Sequence, residues 1–301
     1  MSVDPVHVLA PAKINLYLEV LGRRPDGYHA IETVILALEL DDELEFAAAD
    51  DLTLTCDVAE LSVGPDNLVM KAARLLKEKT GCPKGAEIRL TKRIPWAAGL
   101  GGGSSDAAAA LAGLNELWEL GLSTVQLSSL GAELGSDVPF FFHTPAAFCT
   151  GHGEEVKPVN VGRAFDIVLV KPPMGLSTAE VYRECGASNP KSEIRDPQSV
   201  LDALASGDVE QLGRSLHNRL QEPAMRICPP VAELHRRMQA LGAAGCLLTG
   251  SGSCLFALCR DEEEAKRVAD DLQSGWLPGR DEYAWTRVIL VKSCSKPRHS
   301  T

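Results

Sequence analysis

The first hydrophobic segment of the chain, VHVLAPAKINLYLEVLG, alternates between apolar and polar residues, a pattern that predicts a β-strand. The apolar residues from Ile14 to Val20 point to one side, which we expect to face the core. The residues between them, including Lys13, Asn15 and Glu19, point to the other side, which we expect to be a surface. The strand would therefore present Lys13 and Asn15 next to each other, on its outer face.

Further strands and helices follow in the first half of the chain. We expect RRPDGYHAIET to be a turn-rich loop, DELEF and DLTLTCDV to form a pair of strands, and AEIRLTKRI to be another strand. Apolar residues recur at helical spacing in NLVMKAARLLKEKTG, SSDAAAALAGLNELWEL and STVQLSSLGAELG. Gly81 would end the first of these helices, and Ser123 would be the N-cap of the third.

The second half of the chain is richer in predicted helices, which we place at 178–185, 197–205, 209–220 and 231–241 and in the acidic segment DEEEAKRVADDLQ. FDIVLVKPP and TRVILVKSC are predicted strands, and LLTGSGSCLFALC is predicted to be a strand, a tight turn and a strand. Because no regular βαβ repeat occurs, the pattern favours the α+β class. The change in composition favours two lobes with a boundary near residues 160–170.

Composition excludes several classes of protein. The net charge of −11 argues against a nucleic-acid partner, which selects for clustered Lys and Arg. No apolar run approaches the roughly 20 residues of a membrane span, and the first residues lack the pattern of a secretory signal. The nine cysteines include no CxxC, so we expect neither a zinc site nor disulfides, and a reducing, cytoplasmic location. We expect a monomer or a weak homodimer.

The segment PWAAGLGGGSSD places four glycines and two serines directly before an alanine-rich helix. A glycine-rich turn that serves only tight packing is one interpretation. A Walker P-loop would need a lysine that is missing here, and the glycine spacing does not fit a dinucleotide-binding fingerprint. The remaining interpretation is a phosphate-binding loop, in which backbone N–H groups, two hydroxyls and a helix N-terminus converge on an anion.

Three motifs of this chain resemble those of the GHMP kinases. PWAAGLGGGSSDAA resembles the central motif of that family, PAKINLYLEVLGRRPDGYHAIETV resembles its opening motif in one branch, and LLTGSGSCLFAL resembles its third motif. The motifs span residues 8–258 in the expected order. The segments GRRPDGYHAIET and GSDVPFFF narrow the resemblance to a branch that acts on a cytidine diphosphate derivative.

The resemblance implies a fold, a reaction and a cofactor. The expected fold is the α+β, two-domain GHMP kinase fold, with an N-terminal ATP-binding α/β lobe over residues 1–163 and a C-terminal, ferredoxin-like, substrate-binding α+β lobe over residues 164–301. The active site would lie in the cleft between them. The expected reaction is ATP-dependent phosphorylation of an alcohol on a small molecule, with ATP arriving as its Mg²⁺ complex. Another GHMP kinase, acting on homoserine, mevalonate or a sugar, is the alternative.

Lys13 and Asp137 are the expected catalytic pair. Asp137 precedes VPFFF, so we expect its carboxylate to be partly desolvated and more basic; the alternative is that it caps a short turn. Lys13 by itself is equally well explained as a solvated strand lysine. The resemblance favours catalysis for both, because Asp137 aligns with the base of these kinases and Lys13 with their lysine.

The resemblance also assigns two sets of binding residues. The expected ATP-binding residues are Pro95, Ala97, Ala98, Gly99, Leu100, Gly101, Gly102, Gly103, Ser104 and Ser105 of the central motif, with Asn67 and Leu68 near the adenine. The expected acceptor-binding residues are Asn15, Tyr28, His29, Thr178, Tyr182, Gly250, Ser251 and Gly252, with the cytosine between Tyr28 and Tyr182.

Alternatives stay open for several of these residues. Asn67 is equally well explained as the N-cap of its own helix, the tyrosines as half-buried packing residues, and Gly250–Gly252 as structural support. The sequence assigns no Mg²⁺ ligand and no role to Asp106. A catalytically inactive nucleotide-binding protein is disfavoured by the presence of Lys13 and Asp137, and a Rossmann oxidoreductase by the glycine spacing.

Overall fold

A computed structural model describes residues 4–188, 194–274 and 286–296. The strands in chain order are β1 (Val6–Arg23), β2 (His29–Ala49), β3 (Leu52–Cys56), β4 (Gly85–Thr91), β5 (Ala146–Thr150), β6 (Glu155–Pro158), β7 (Asp166–Lys171), β8 (His217–Asn218), β9 (Gly245–Leu248), β10 (Leu255–Cys259) and β11 (Arg287–Lys292). The helices are α1 (Leu68–Thr80), α2 (Gly102–Leu117), α3 (Thr124–Leu134), α4 (Thr178–Ser188), α5 (Gln198–Ser206), α6 (Val209–Ser215), α7 (Gln221–Ile227), α8 (Pro229–Ala240) and α9 (Glu262–Ser274).

The strands form two sheets. The larger sheet has the order β3-β4-β2-β1-β8, with β5 paired to β2 and β6 paired to β5. The smaller sheet has the order β11-β7-β10-β9, and all its neighbours are antiparallel. The predicted α+β class is confirmed. No helix in the described ranges is both long enough and apolar enough to cross a membrane.

The predicted pairing of DELEF with DLTLTCDV is wrong, because β4 lies between β2 and β3. It pairs antiparallel with β2 and parallel with β3. The first residue of β4, Gly85, passes directly against the turn that joins the other two strands. A Cβ atom at Gly85 would lie 2.4 Å from the Asp50 carbonyl oxygen, so only glycine permits this approach.

Both faces of β1 are buried from Ala10 to Glu19, which corrects the expectation that Lys13, Asn15 and Glu19 lie on a surface. These three side chains belong to residues that are at most 3% exposed. Residues that follow β8 and β9 contribute to this burial: Arg219 contacts Glu19, and Thr249 contacts Asn15. Glu19 shows how the charge is accommodated there: its carboxylate accepts hydrogen bonds from His217 (3.0 Å) and Arg219 (2.8 Å).

Two predicted boundaries also change. The helix predicted over 209–220 ends at Ser215, because His217 and Asn218 leave the helical path and pair in parallel with Tyr17 and Leu18 of β1. The loop predicted from RRPDGYHAIET is shorter than expected, since β2 already begins at His29. β8 thus returns a segment of the second half of the chain to the larger sheet, and the division into 1–163 and 164–301 stays a prediction.

Candidate active site

Lys13 and Asp137 lie in contact. The Lys13 ammonium nitrogen is 3.3 Å from Oδ2 of Asp137 and donates a 2.7 Å hydrogen bond to Oδ1 of Asn15. The lysine side chain is buried, whereas the Asp137 side chain is 35% exposed. The buried cation therefore fixes one side of a carboxylate whose other side remains open to a small molecule.

Asp137 is placed by the turn that leads into a short 3₁₀-helix, Pro139–Phe142. Phe140 and Phe141 of this helix are fully buried and anchor the turn in the core. The helix has no side-chain cap, and its N-cap residue is Val138. Helix capping therefore does not account for Asp137, which was the alternative interpretation of this residue.

The glycine segment, residues 95–105, wraps over Lys13 and continues into the first turn of α2. Gly101 is the N-cap residue, with φ +72°, and a Cβ atom there would lie 2.8 Å from Cγ of Lys13. The Lys13 amide donates a 2.9 Å hydrogen bond to the Leu100 carbonyl. No side chain caps α2 and no acidic residue stands in its first turn. The free amides of the first turn thus face the same region as the lysine, an arrangement suited to an anion.

The two serines of the segment differ in exposure. Ser104 is half-buried, whereas Ser105 is fully buried and its hydroxyl lacks a hydrogen-bond partner among the described residues. The expectation that both hydroxyls reach a phosphate directly therefore stays a prediction. Pro95, Ala98 and Leu100 are buried supports of the segment, while Ala97 is exposed with φ +51°.

Asp106 belongs to a buried cluster of charged residues beneath the glycine segment. Lys92 Nζ donates to Oδ2 of Asp106 at 2.7 Å and also to Asp42. A Cβ atom at Gly102 would lie 3.3 Å from the same ammonium nitrogen. Burial raises the pKa of Asp106 to about 7, against the opposing effect of Lys92. Lys92 and Asp42 could not be singled out from the sequence, since charged residues in the charge-rich segments DDELE and TKR give no signal of burial.

The third motif, which contains Gly250–Gly252, contacts both the glycine segment and β1. A Cβ atom at Gly250 would lie 3.4 Å from the Gly99 carbonyl oxygen and 3.5 Å from Oδ1 of Asn15. Ser251 Oγ and Thr178 Oγ1 are 2.8 Å apart. The three atoms nearest to the Cβ position of Gly252 belong to the side chains of Leu248 and Leu176. The structure therefore brings Asn15, Gly99 and Gly250 together, with Thr178 and Ser251 paired to each other.

The aromatic residues are arranged differently from the expected pair. Tyr182 stacks on His29, with ring centroids 5.0 Å apart, and Tyr28 stacks on His152 at 4.8 Å. Tyr28 is 58% exposed. Nothing in the sequence indicated a role for His152. Its Nδ1 lies 2.6 Å from Oγ of Ser136, the neighbour of Asp137, so this histidine connects one aromatic stack to the candidate base.

Asn67 and Leu68 lie at the start of α1. Asn67 is the N-cap residue: its Oδ1 accepts a 2.8 Å hydrogen bond from the Val69 amide, and its Nδ2 donates to the Ser62 carbonyl at 2.7 Å. The capping interpretation left open for Asn67 thus describes its contacts. Leu68 lies 3.5 Å from the Cβ position of Gly103, next to the glycine segment. Their contact with adenine stays a prediction.

No group of three or more His, Cys, Asp or Glu residues capable of holding a metal occurs in the described part of the chain. Two buried oxygen atoms near the start of α2, Ser105 Oγ and Asp106 Oδ1, have no hydrogen-bond partner among the described residues. Oxygen is the ligand that Mg²⁺ prefers, and this ion keeps few protein ligands when it is bound to a nucleotide. The two oxygens fit such an ion.

Comparisons with known proteins agree on one family. The GHMP kinases N terminal domain model matches residues 67–144, and the GHMP kinases C terminal model matches residues 200–276. A curated relative from Pelotomaculum thermopropionicum, 4-diphosphocytidyl-2-C-methyl-D-erythritol kinase, is 46% identical over 267 residues, which are 88% of this chain and 92% of the relative.

Solved structures give the same result for the fold. A 4-(cytidine 5'-diphospho)-2C-methyl-D-erythritol kinase superimposes with a TM-score of 0.78 and 36% identity, over 95% of this chain and 98% of the other. Homoserine kinase from Cytophaga hutchinsonii superimposes with a TM-score of 0.76 over 98% and 96% of the two chains. Its identity of 19% shows a likeness of fold alone.

Proposed function

The chain belongs to the GHMP kinase family, and we propose that it transfers the γ-phosphoryl group of ATP to the C2 hydroxyl of 4-diphosphocytidyl-2-C-methyl-D-erythritol. This reaction belongs to the non-mevalonate pathway of isoprenoid precursor biosynthesis. The name of the Pelotomaculum relative, at 46% identity, supports the substrate. The observation that carries the reaction is the contact between Lys13 and Asp137 beside the glycine segment at the start of α2.

In the proposed mechanism Asp137 is the general base. Its carboxylate accepts the proton of the C2 hydroxyl as the hydroxyl oxygen bonds to the γ-phosphorus. The bond between that phosphorus and the oxygen that bridges it to the β-phosphorus breaks, and ADP leaves with that electron pair. Lys13 holds the Asp137 carboxylate in place and offers its positive charge to the oxygens on which negative charge develops.

The glycine segment binds the triphosphate in this proposal. Gly99 and Gly101–Gly103 bring backbone amides close to the phosphates, with no side chain to block the approach. The dipole of α2 adds favourable charge at the same point. Mg²⁺ on the triphosphate would neutralise charge on the transferring group. Ser105 and Asp106 are the residues that would hold the ion.

The acceptor binds beside the aromatic stacks. Stacking of a base on an aromatic side chain contributes about 1–3 kcal/mol. Tyr28 and Tyr182, each stacked on a histidine, are the residues that we propose for this contact. Asn15 and Thr178 are the polar groups of this pocket. Homoserine and mevalonate carry no base to stack, which disfavours the alternative of another GHMP kinase.

Release of ADP, measured by a coupled assay with a panel of acceptors, tests this function. The panel contains the cytidylated substrate, homoserine, mevalonate and galactose. We expect turnover of the cytidylated substrate and background rates with the others. Turnover of homoserine or mevalonate, with the cytidylated substrate ignored, would overturn the assignment.

We also propose that the enzyme works in the cytoplasm as a monomer or weak homodimer, with no membrane or nucleic-acid partner. All nine cysteines are free thiols. The net charge of −11 disfavours polyanions as partners. Sedimentation equilibrium over a range of protein concentrations measures the assembly state.

A further inference from the structure

The side chain of Thr249, in the third motif, contacts both β1, which carries Lys13, and the glycine segment before α2. Thr249 follows β9, directly before Gly250, and is fully buried. Its Oγ1 accepts a 3.1 Å hydrogen bond from the backbone amide of Asn15. The same hydroxyl donates to the Gly99 carbonyl oxygen at 3.2 Å. One hydroxyl thus satisfies a donor on β1 and an acceptor in the glycine segment.

Asn15 connects Thr249 to Lys13. Its Oδ1 accepts the 2.7 Å hydrogen bond from Lys13 Nζ, and its Nδ2 donates to Thr33 Oγ1 at 2.9 Å. Oδ1 of Asn15 also lies 3.4 Å from Thr249 Oγ1. The position of the Lys13 ammonium therefore depends on the Asn15 side chain, and Thr249 fixes the backbone of Asn15 through its hydrogen bond.

Gly99 is the residue of the glycine segment that Thr249 contacts. Its φ of +78° belongs to the left-handed region, and a Cβ atom there would lie 2.3 Å from the Thr249 carbonyl oxygen. The backbones of the second and third motifs therefore touch at this point. Further along, the Cys254 amide donates to the Ala98 carbonyl at 3.1 Å.

We propose that Thr249 is a positioning residue that sets the distance between the Lys13–Asp137 pair and the glycine segment. This inference rests on the proposed phosphoryl transfer. Thr249 is fully buried and acts through Asn15 and Gly99. Without its hydroxyl, the Asn15 amide and the Gly99 carbonyl lose this shared partner, and the segments shift to satisfy them elsewhere. A displacement of about 1 Å between reacting groups lowers a rate by about 10²-fold.

Two substitutions separate the hydroxyl from the shape of the side chain. Thr249→Val keeps the shape and removes the hydroxyl, whereas Thr249→Ser keeps the hydroxyl and removes a methyl group. We expect Thr249→Val to lower kcat about 10-fold or more and to weaken binding of a non-hydrolysable ATP analogue about 3-fold or more. Thr249→Ser should keep kcat within about 2-fold of the wild type.

Val268→Ala controls for a general loss of stability. Val268 is a fully buried residue of α9 in the core of the smaller sheet, and its truncation lowers stability. All variants are assayed well below their melting temperatures. Three results would overturn the proposal: unchanged kcat in Thr249→Val, equal loss in the valine and serine variants, or equal loss in Val268→Ala.

The test also separates this inference from the assignment of the acceptor. If the wild type fails to turn over the cytidylated substrate, the proposed function fails. Titration with the ATP analogue then still compares the valine and serine variants. Equal affinity in the two would overturn the role of Thr249, and a loss confined to the valine variant would support it.

Discussion

The Lys13 ammonium lies 3.3 Å from the Asp137 carboxylate, although Lys13 belongs to the buried strand β1 and Asp137 to the turn before the 3₁₀-helix. The lysine is held from three sides: by Asp137, by Asn15 and by the backbone of Gly101 packed against its side chain. Such a fixed cation next to a partly exposed carboxylate suits proton removal from an alcohol.

Asp137→Asn tests the carboxylate. The amide is close to it in size but cannot accept the hydroxyl proton, so we expect kcat to fall about 10²-fold or more. Binding of the ATP analogue, measured by calorimetry, should change less than about 3-fold, because the glycine segment is intact. A variant with near-normal kcat would contradict the role of base.

Gly101→Ala tests the close approach of the glycine segment to Lys13. The new methyl group would lie 2.8 Å from the lysine Cγ, so the segment must shift. We expect the KM for ATP to rise about 10-fold, with kcat reduced as well. Gly121→Ala is the matched control, since Gly121 has a similar φ of +68° but nothing within 4 Å of its Cβ position. Equal kinetic effects in both variants would show that backbone strain alone explains the loss.

Tyr182→Leu tests the acceptor pocket. Loss of a stacking partner worth about 1–3 kcal/mol raises the KM for the cytidylated substrate by about 5-fold to 150-fold. The KM for ATP should stay unchanged. Tyr182→Phe retains the ring and should retain the KM of the wild type. A leucine variant with normal acceptor KM would remove Tyr182 from the pocket.

Asp106→Asn tests the buried charge cluster with Lys92 and Asp42. Burial raises the pKa of Asp106 from 3.8 to about 7, so the folded protein binds this proton more tightly than the unfolded chain does. The free energy of unfolding of the wild type therefore falls as pH rises from about 4 to about 7. Asparagine does not titrate, so its stability relative to the wild type should increase between pH 5 and pH 8. Urea denaturation at both pH values measures this difference. A constant difference would contradict the raised pKa.

Local patterns in the sequence predicted local structure well. Asn67 and Ser123 cap α1 and α3, Gly81 ends α1, and the segment before α2 has the backbone conformation that its glycines indicate. These features depend on residues within a few positions of each other. For the same reason the strand–turn–strand prediction for LLTGSGSCLFALC is confirmed by β9 and β10.

Long-range packing could not be predicted in the same way. A register shift in the pairing of β1 with β2 interrupts the alternation between Asn15 and Tyr17. Glu19 is buried because His217 of β8 and Arg219, which follows it, contact its carboxylate. The insertion of β4 depends on the contact of Gly85 with Asp50. The role proposed for Thr249 likewise depends on contacts to Asn15 and Gly99, which are far away in the chain.

In the proposed reaction, the segment from Gly99 to Ser105 binds a triphosphate whose terminal group faces an alcohol held by Lys13 and Asp137. A crystal structure with a non-hydrolysable ATP analogue and the cytidylated substrate tests it most directly. We predict the γ-phosphate on the amides of this segment and the C2 oxygen within about 2.6–3.2 Å of the Asp137 carboxylate. A triphosphate bound elsewhere, or a C2 hydroxyl out of reach of Asp137, would contradict the claim.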